Sequence, residues 1–289
     1  MSIEQLVGDS AQAALPRGSW DCQIHVYGDM AKYPVRNDNT TYKTPMAASP
    51  ADAAEMHDRI GIEGVVIVQP TLYATDHSLL IDTLRARPAS RARGVVILDD
   101  EIDDAQLERL HAAGVRGARF NFQKRFGLVP EMASFHRAAA RIREFGWFIK
   151  IHVGPAELAA IESDLRRVPL PVVIDHMAQL KTESGIDRDG FKRAIDIIRQ
   201  ENRWMMLSNG DRNSLSGYPW DDIVAVGRAF YEAAPERCIW GSDWPHLGAR
   251  RHGPVPEAAD LIALLRRYLP DEHALRQVLV DNPNRLLGF

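Results

Sequence analysis

The sequence lacks several features that define whole classes of protein. Its 289 residues contain only two cysteines, Cys22 and Cys238, which are too few for a disulfide scaffold. The formal net charge of -4 argues against nucleic acid or an anionic membrane as partner, since both favour a basic surface. No apolar run approaches the roughly 18 residues of a membrane span, and the N-terminus lacks the basic and apolar regions of an export signal. These absences predict a cytoplasmic globular protein.

Buried strands alternate with amphipathic segments along the chain. The continuous apolar run over residues 64–70 is typical of a parallel strand covered on both faces, and Ser49-Pro50-Ala51-Asp52 predicts a helix start. The predicted strands are residues 20–26, 64–70, 93–98, 117–122, 147–153, 171–176, 203–209 and a run from 238. The predicted helices are residues 50–60, 76–87, 104–113, 130–145, 155–168, 189–201, 220–233 and 256–269.

The alternation predicts the fold class and the domain organisation. Eight strand–helix repeats indicate an α/β protein with a single (β/α)8 TIM barrel over residues 20–289, preceded by an N-terminal arm over residues 1–19. An open dinucleotide-binding sheet would favour a GxGxxG turn after the first strand, and this sequence has no such turn there.

The eighth predicted strand carries the most informative segment, Cys238-Ile239-Trp240-Gly241-Ser242-Asp243-Trp244-Pro245-His246. It reads as a strand that presents Asp243 at its tip between two indole rings. Burial beside those rings would raise the carboxyl pKa and make Asp243 a proton acceptor near neutral pH. The alternative is an aspartate that caps the turn after the strand.

Other polar residues also fall at the predicted C-terminal strand ends, where TIM barrels place their catalytic groups. They are Gln23, His25, Gln69, Thr71, Tyr73, Arg119, Asn121, Arg125, His152, His176, Arg212 and His246. A single histidine at a strand end can be a core residue, Arg119 can form a structural ion pair, and Arg125 can be a solvated cation. The remaining histidines lie in predicted helices or outer loops, and most of them are expected at the surface; they are His57, His77, His111, His136, His252 and His273.

The layout resembles the amidohydrolase superfamily, and in particular the branch that includes 2-pyrone-4,6-dicarboxylate lactonase and related sugar-acid lactonases and lactone isomerases. The segments that carry the resemblance include DCQIHVYG (residues 21–28), RGARFNFQKR (residues 116–125) and WGSDWPH (residues 240–246), and the last two are specific. It extends from about residue 16 to the C-terminus. Shorter matches lie at residues 66–69, 174–177, 211–212 and 219–222.

The resemblance implies a hydrolase that opens a carboxylate-bearing lactone in aromatic compound catabolism, without a metal or other cofactor. Asp243 would activate water, and His25 and His176 would polarise the lactone carbonyl. The arginines would bind substrate carboxylates, which a guanidinium can grip with two hydrogen bonds. The implied substrate-binding residues are Arg119, Arg125, Arg212, Thr71, Tyr73, His152 and Gln23. A di- or tricarboxylate lactone is the expected partner. The sequence does not decide between a monomer and a homo-oligomer.

The sequence departs from the branch at two positions. Gln23 stands where the pyrone lactonase has histidine, which removes a metal ligand, and His152 stands where it has tyrosine, which restores one. A single zinc held by His25, His152, His176 and Asp243 therefore remains an alternative. A lactone isomerase, in which a substrate hydroxyl attacks the carbonyl, is a second alternative, and a non-catalytic dicarboxylate-binding barrel is a third.

Overall fold

A computed structural model of the protein describes residues 14–40, 48–182, 188–247 and 254–289. Eight parallel strands form one sheet in which each strand pairs with the next along the chain. The strands are β1 Trp20–Ile24, β2 Gly64–Val68, β3 Ala92–Val96, β4 Val115–Asn121, β5 Phe148–His152, β6 Val172–Ile174, β7 Arg203–Leu207 and β8 Cys238–Trp240. A bridge between Ile24 and Trp244 brings the chain after β8 back to β1. The sheet is a nearly closed barrel, so the predicted TIM barrel is confirmed.

A helix follows each strand and packs on the outside of the barrel. These helices are α1 Pro50–Ile60, α2 Ser78–Arg85, α3 Asp104–Ala112, α4 Met132–Ile142, α5 Pro155–Arg167, α6 Asp189–Ile198, α7 Val224–Ala233 and α8 Ala258–Tyr268. The predicted start of α1 is confirmed, since the Ser49 side chain accepts the Asp52 N–H and the Asp52 carboxylate accepts the Ser49 N–H. Two short helices, α9 Glu272–Arg276 and α10 Asn282–Leu287, follow α8.

Apolar side chains fill the barrel interior at the N-terminal end of the strands. One buried cluster consists of strand residues, among them Trp20, Val66, Phe148 and Trp204, together with Leu287 of α10. A larger cluster packs the outer faces of the strands against the helices. Because the interior is filled at the N-terminal end of the strands, a ligand can enter only from the C-terminal end.

Every strand ends before its predicted last residue, and the backbone conformation explains this for two of them. β6 ends at Ile174 and β8 at Trp240, because the chain then enters the left-handed region, with φ of 56° at both His176 and Asp243. A strand cannot continue through positive φ. Non-glycine residues held in this region cluster at functional sites, where the surrounding structure imposes the conformation.

His57 is an exception to the surface position expected for most of the remaining histidines. This side chain is 3% exposed, and its Nε2 lies 3.1 Å from Asp21 Oδ2. Asp21 also accepts the Ser242 N–H at 2.9 Å and the Ser242 hydroxyl at 2.6 Å. His57 therefore helps to tie α1 to β1 and to the turn that carries Asp243.

Residues 1–13 of the predicted N-terminal arm lie outside the described residues, so the arm stays a prediction. Within the described ranges, no helix is long and apolar enough to cross a membrane.

Candidate active site

A cavity at the C-terminal end of the barrel brings together eight of the predicted site residues: His25, Thr71, Arg119, Arg125, His152, His176, Arg212 and Asp243. Its lining also includes Tyr27, Pro70, Phe126, Gln179, Asn209 and Leu247, which the sequence did not single out. The predicted residues converge because the C-terminal ends of parallel strands meet at one rim of a barrel.

Asp243 is the carboxylate of this cavity and is only 7% exposed. Its N–H donates to the Gln23 carbonyl at 2.8 Å, which fixes the turn beside β1. Its Oδ1 accepts the Gln23 side-chain amide at 3.2 Å and lies 3.4 Å from His25 Nε2. Its Oδ2 accepts a hydrogen bond from the Arg212 guanidinium. Both oxygens of the carboxylate are therefore engaged by nitrogen groups of the protein.

The sequence-based expectation of a raised pKa for Asp243 is wrong. Burial raises this pKa, but the positive charge of Arg212 is the largest effect in the opposite direction, and the pKa lies well below its ordinary value. The sequence places Arg212 31 residues away, and only the fold brings its guanidinium onto the carboxylate. Asp243 is consequently ionised throughout the neutral range.

The hydrogen bonds of His25 define its tautomer. Its Nδ1 lies 2.8 Å from the Val68 carbonyl oxygen, which can only accept, so Nδ1 carries a proton. In the neutral ring Nε2 then holds a lone pair, and this lone pair faces the Gln23 amide nitrogen at 3.1 Å. A neutral His25 can therefore accept a hydrogen bond at Nε2 but cannot donate one.

His176 has the opposite capacity. Burial lowers the pKa of His176 to about 4, outweighing the nearby carboxylates of Asp243 and Asp175, so the ring is neutral at pH 7. Its Nδ1 lies 2.8 Å from Ser208 Oγ. When the Ser208 hydroxyl donates to Nδ1, the ring proton resides on Nε2. His176 can then present an uncharged N–H donor to a ligand.

A buried charge triad of Arg119, Lys150 and Asp175 lies next to the histidines. Lys150 Nζ is 2.7 Å from Asp175 Oδ1 and Arg119 Nε is 3.5 Å from Asp175 Oδ2, and all three side chains are at most 5% exposed. Arg119 also lines the cavity. The structural ion pair considered for Arg119 is present, and its partner Asp175 directly follows β6.

His152 contacts this triad and the mouth of the cavity. Its Nδ1 lies 3.1 Å from an Arg119 guanidinium nitrogen and 2.9 Å from Asn121 Oδ1, and Nε2 contacts the Gln179 amide. Burial, followed by the charge of Arg119, holds the pKa of His152 well below its ordinary value. Gln179 Oε1 in turn accepts a hydrogen bond from Arg125 at 3.1 Å.

The donors named for the zinc alternative contact other groups of the protein. The Asp243 oxygens face N–H groups of Gln23 and Arg212, and the guanidinium cation would repel a second cation placed at the carboxylate. His152 directs its Nδ1 towards another cation, Arg119. Across the described ranges, no group of three or more His, Cys, Asp or Glu side chains is placed to hold a metal ion.

Two predicted substrate-binding residues lie away from the cavity wall formed by the described residues. Gln23 is fully buried beneath His25 and Asp243. Tyr73 is 2% exposed, and its hydroxyl accepts the Gly28 N–H at 3.1 Å.

Sequence reasoning missed the residues that support the site after β7. Ser208 contacts His176, and Asn209 Oδ1 accepts a hydrogen bond from Arg212. Asn209 has φ of 59°, a conformation that asparagine tolerates better than most residues. A polar Ser-Asn pair that directly ends an apolar strand is the signal that could have identified them.

Comparison with known proteins places the chain in a family. The family model described as amidohydrolase matches residues 20–289. The chain therefore belongs to the amidohydrolase family, and the predicted superfamily membership is confirmed.

The chain also aligns over most of its length with curated enzymes. It is 34% identical to a 4-sulfomuconolactone hydrolase from Rhizobium radiobacter, over 95% of this chain and 91% of that protein. It is 31% identical to a 2-pyrone-4,6-dicarboxylate hydrolase from Comamonas testosteroni, over 95% and 92%. It is 28% identical to a D-galactarolactone isomerase from Agrobacterium fabrum, over 98% and 96%. The resemblance to this branch is confirmed.

The fold agrees with solved structures. A protein from Agrobacterium tumefaciens superposes with a TM-score of 0.83 at 26% identity, over 96% of this chain and 97% of that one. The chain is thus an enzyme of the amidohydrolase superfamily, among relatives that hydrolyse or isomerise lactones.

Proposed function

We propose that this protein hydrolyses a lactone that carries two or more anionic groups, with Asp243 as the base that activates water. The observation that carries the proposal is the meeting of an ionised Asp243, a neutral His176 and three arginines around one cavity. Lactone hydrolysis needs a proton acceptor for water, a donor to the carbonyl oxygen and cations for the substrate's anionic groups. Each requirement has a candidate group here.

Asp243 serves as the proton acceptor. In the reaction, the water oxygen bonds to the lactone carbonyl carbon while one water proton passes to Asp243. The ring carbon–oxygen bond then breaks, and the departing oxygen takes up that proton. The ion pair with Arg212 weakens Asp243 as a base in the free enzyme, and an anionic substrate group that draws Arg212 away would let burial raise its pKa.

His176 is the better candidate for polarising the carbonyl. An uncharged Nε2–H can donate to the carbonyl oxygen and to the oxyanion that forms from it, and such a donor is typically worth about 3–4 kcal/mol. His25 was expected to share this role. Because its neutral tautomer has no proton on Nε2, we assign it to the orientation of Asp243.

Arg119, Arg125 and Arg212 are the proposed ligands of the substrate's anionic groups, and Thr71 and His152 complete the binding surface. Arg125 suits this role best, since it is an exposed cation at the cavity mouth. The names of the relatives support an anionic lactone, and we propose that it arises in aromatic compound catabolism. We propose that turnover needs no metal, because Asp243 is held by N–H donors.

A lactone isomerase is the second candidate, since the D-galactarolactone isomerase covers nearly the whole chain. The same base and carbonyl donor would then act on a hydroxyl of the substrate and not on water. NMR of the purified protein with 2-pyrone-4,6-dicarboxylate, 4-sulfomuconolactone and galactarolactone, each with a chelator, separates the two. Ring-opened acid from a dianionic lactone is the expected result. A rearranged lactone would favour the isomerase, and absence of turnover with all three would overturn the proposal.

A further inference from the structure

Gln23 lies between Asp243, the proposed base, and His25, which we assign to the orientation of that base. Its side chain is fully buried, with Nε2 3.1 Å from His25 Nε2 and 3.2 Å from Asp243 Oδ1. The opposite orientation of the amide would place its oxygen against the carboxylate, and two acceptors cannot form a hydrogen bond. The amide nitrogen therefore faces both groups.

The two groups need such a donor between them. His25 Nε2 carries a lone pair in the neutral tautomer, and it lies only 3.4 Å from Asp243 Oδ1. An amide nitrogen has two hydrogens, one for each acceptor. We propose that Gln23 is a positioning residue that joins His25 and Asp243, so that the carboxylate stays oriented and His25 stays in its Nδ1–H tautomer. This inference rests on the proposed role of Asp243 as base.

The backbone around Gln23 is built for this close approach. A Cβ atom on Gly241 would come within 2.5 Å of Gln23 Cβ and 2.7 Å of Gln23 N, so a side chain at position 241 would force the strands apart. Asp21 Oδ1 accepts both the Gln23 N–H at 3.1 Å and the Ser242 N–H at 2.9 Å. One buried carboxylate therefore fixes β1 and the turn after β8 relative to each other.

The side-chain oxygen of Gln23 also supports a bridging role for the amide nitrogen. Gln23 Oε1 is buried and has no hydrogen-bond partner among the described residues. A buried acceptor left unsatisfied typically destabilises a protein, and such an atom in a native structure calls for a functional or structural reason. The bridging by Nε2 supplies that reason.

Kinetics of Gln23→Met test the inference, since methionine keeps the length of the side chain and removes both donors. Gln23 does not line the cavity formed by the described residues, so we expect kcat to fall about 100-fold, as for a misplaced catalytic group, with KM within about threefold. Gln200→Met, at a partly exposed position after α6, is the matched control and should leave kcat unchanged. A Gln23→Met enzyme with wild-type kcat would overturn the inference.

Nitrogen NMR of the histidine rings provides a readout independent of turnover. In the wild-type protein we expect the neutral form of the His25 ring to carry its proton on Nδ1, which faces the Val68 carbonyl. In Gln23→Met we expect the Nε2 signal to change, because Nε2 then loses the amide nitrogen that it faces. A neutral wild-type His25 ring with its proton on Nε2, or identical ring signals in the variant, would refute the inference. If the wild-type protein opened no lactone, the proposed function would fail while these signals still tested the bridge.

Discussion

Asp243→Asn tests the role of the base alone, because it removes the carboxylate charge and keeps the shape of the side chain. Loss of a general base typically lowers the rate about 10²–10⁴-fold, so we expect kcat to fall by that range. The affinity for an anionic ligand should instead increase. In the wild-type protein Arg212 is shared between Asp243 and an incoming substrate anion, whereas in the variant it is available to the substrate alone.

The gain in affinity follows from the ion pair. Two unit charges about 4 Å apart attract by about 4 kcal/mol at an effective dielectric constant of about 20. The Arg212 side chain is 22% exposed, so solvent screening reduces this figure, and we take about half. About 2 kcal/mol corresponds to roughly 30-fold in Kd. We therefore expect Asp243→Asn to bind an unreactive dicarboxylate about 30-fold more tightly than the wild-type protein does.

Calorimetric titration with benzene-1,3-dicarboxylate measures the affinity, and lactone turnover measures the rate. Asp196→Asn is a matched control, because Asp196 lies on α6 with its side chain 69% exposed. Near-normal turnover in Asp243→Asn would refute the role of the base. An unchanged or weaker Kd would refute the competition between Asp243 and the substrate for Arg212.

Three further predictions concern neighbouring groups. Arg212→Met removes the charge that most strongly lowers the pKa of Asp243; because the ionised form is the base, the acid limb of the kcat/KM profile should move to higher pH, and an unmoved limb would contradict the pairing. Ser208→Ala should lower kcat about 10-fold with little change in KM, since His176 loses the group that fixes its tautomer; a change confined to KM would assign Ser208 to binding. Arg119→Met should destabilise the protein by about 3 kcal/mol in guanidinium unfolding, the lower end for a broken buried pair because the lysine of the triad remains, and it should also raise KM because Arg119 is a proposed substrate ligand. Unchanged stability would contradict the structural ion pair, and an unchanged KM would contradict the ligand role.

The fold was predictable because its signals are local. Apolar runs identify the strands, the capping box at Ser49 identifies the start of α1, and repetition of the unit identifies the barrel. The barrel then determines which polar residues converge. His25, His152, His176 and Asp243 were predicted to meet because each lies at or just after a strand end.

The electrostatics and local geometry of the site were not predictable in the same way. The sign of the Asp243 pKa shift depends on Arg212, whose reach across the rim is set by the loop after β7. The left-handed turn over residues 176–179 contains no glycine, so the sequence gives no local signal for it. The tautomer of His25 depends on a carbonyl of β2. Each of these features arises from contacts between segments that are distant in the chain.

The seam between β1 and β8 has a consequence for folding. Gln23 and Asp243 are 220 positions apart in the sequence. They are nevertheless joined by one backbone hydrogen bond and one side-chain hydrogen bond. Contacts of such long sequence separation are slow to form, and this pair can form only when the first and last strands meet. Recovery of activity during refolding should therefore lag behind recovery of helical circular dichroism, because catalysis requires the final closure of the barrel.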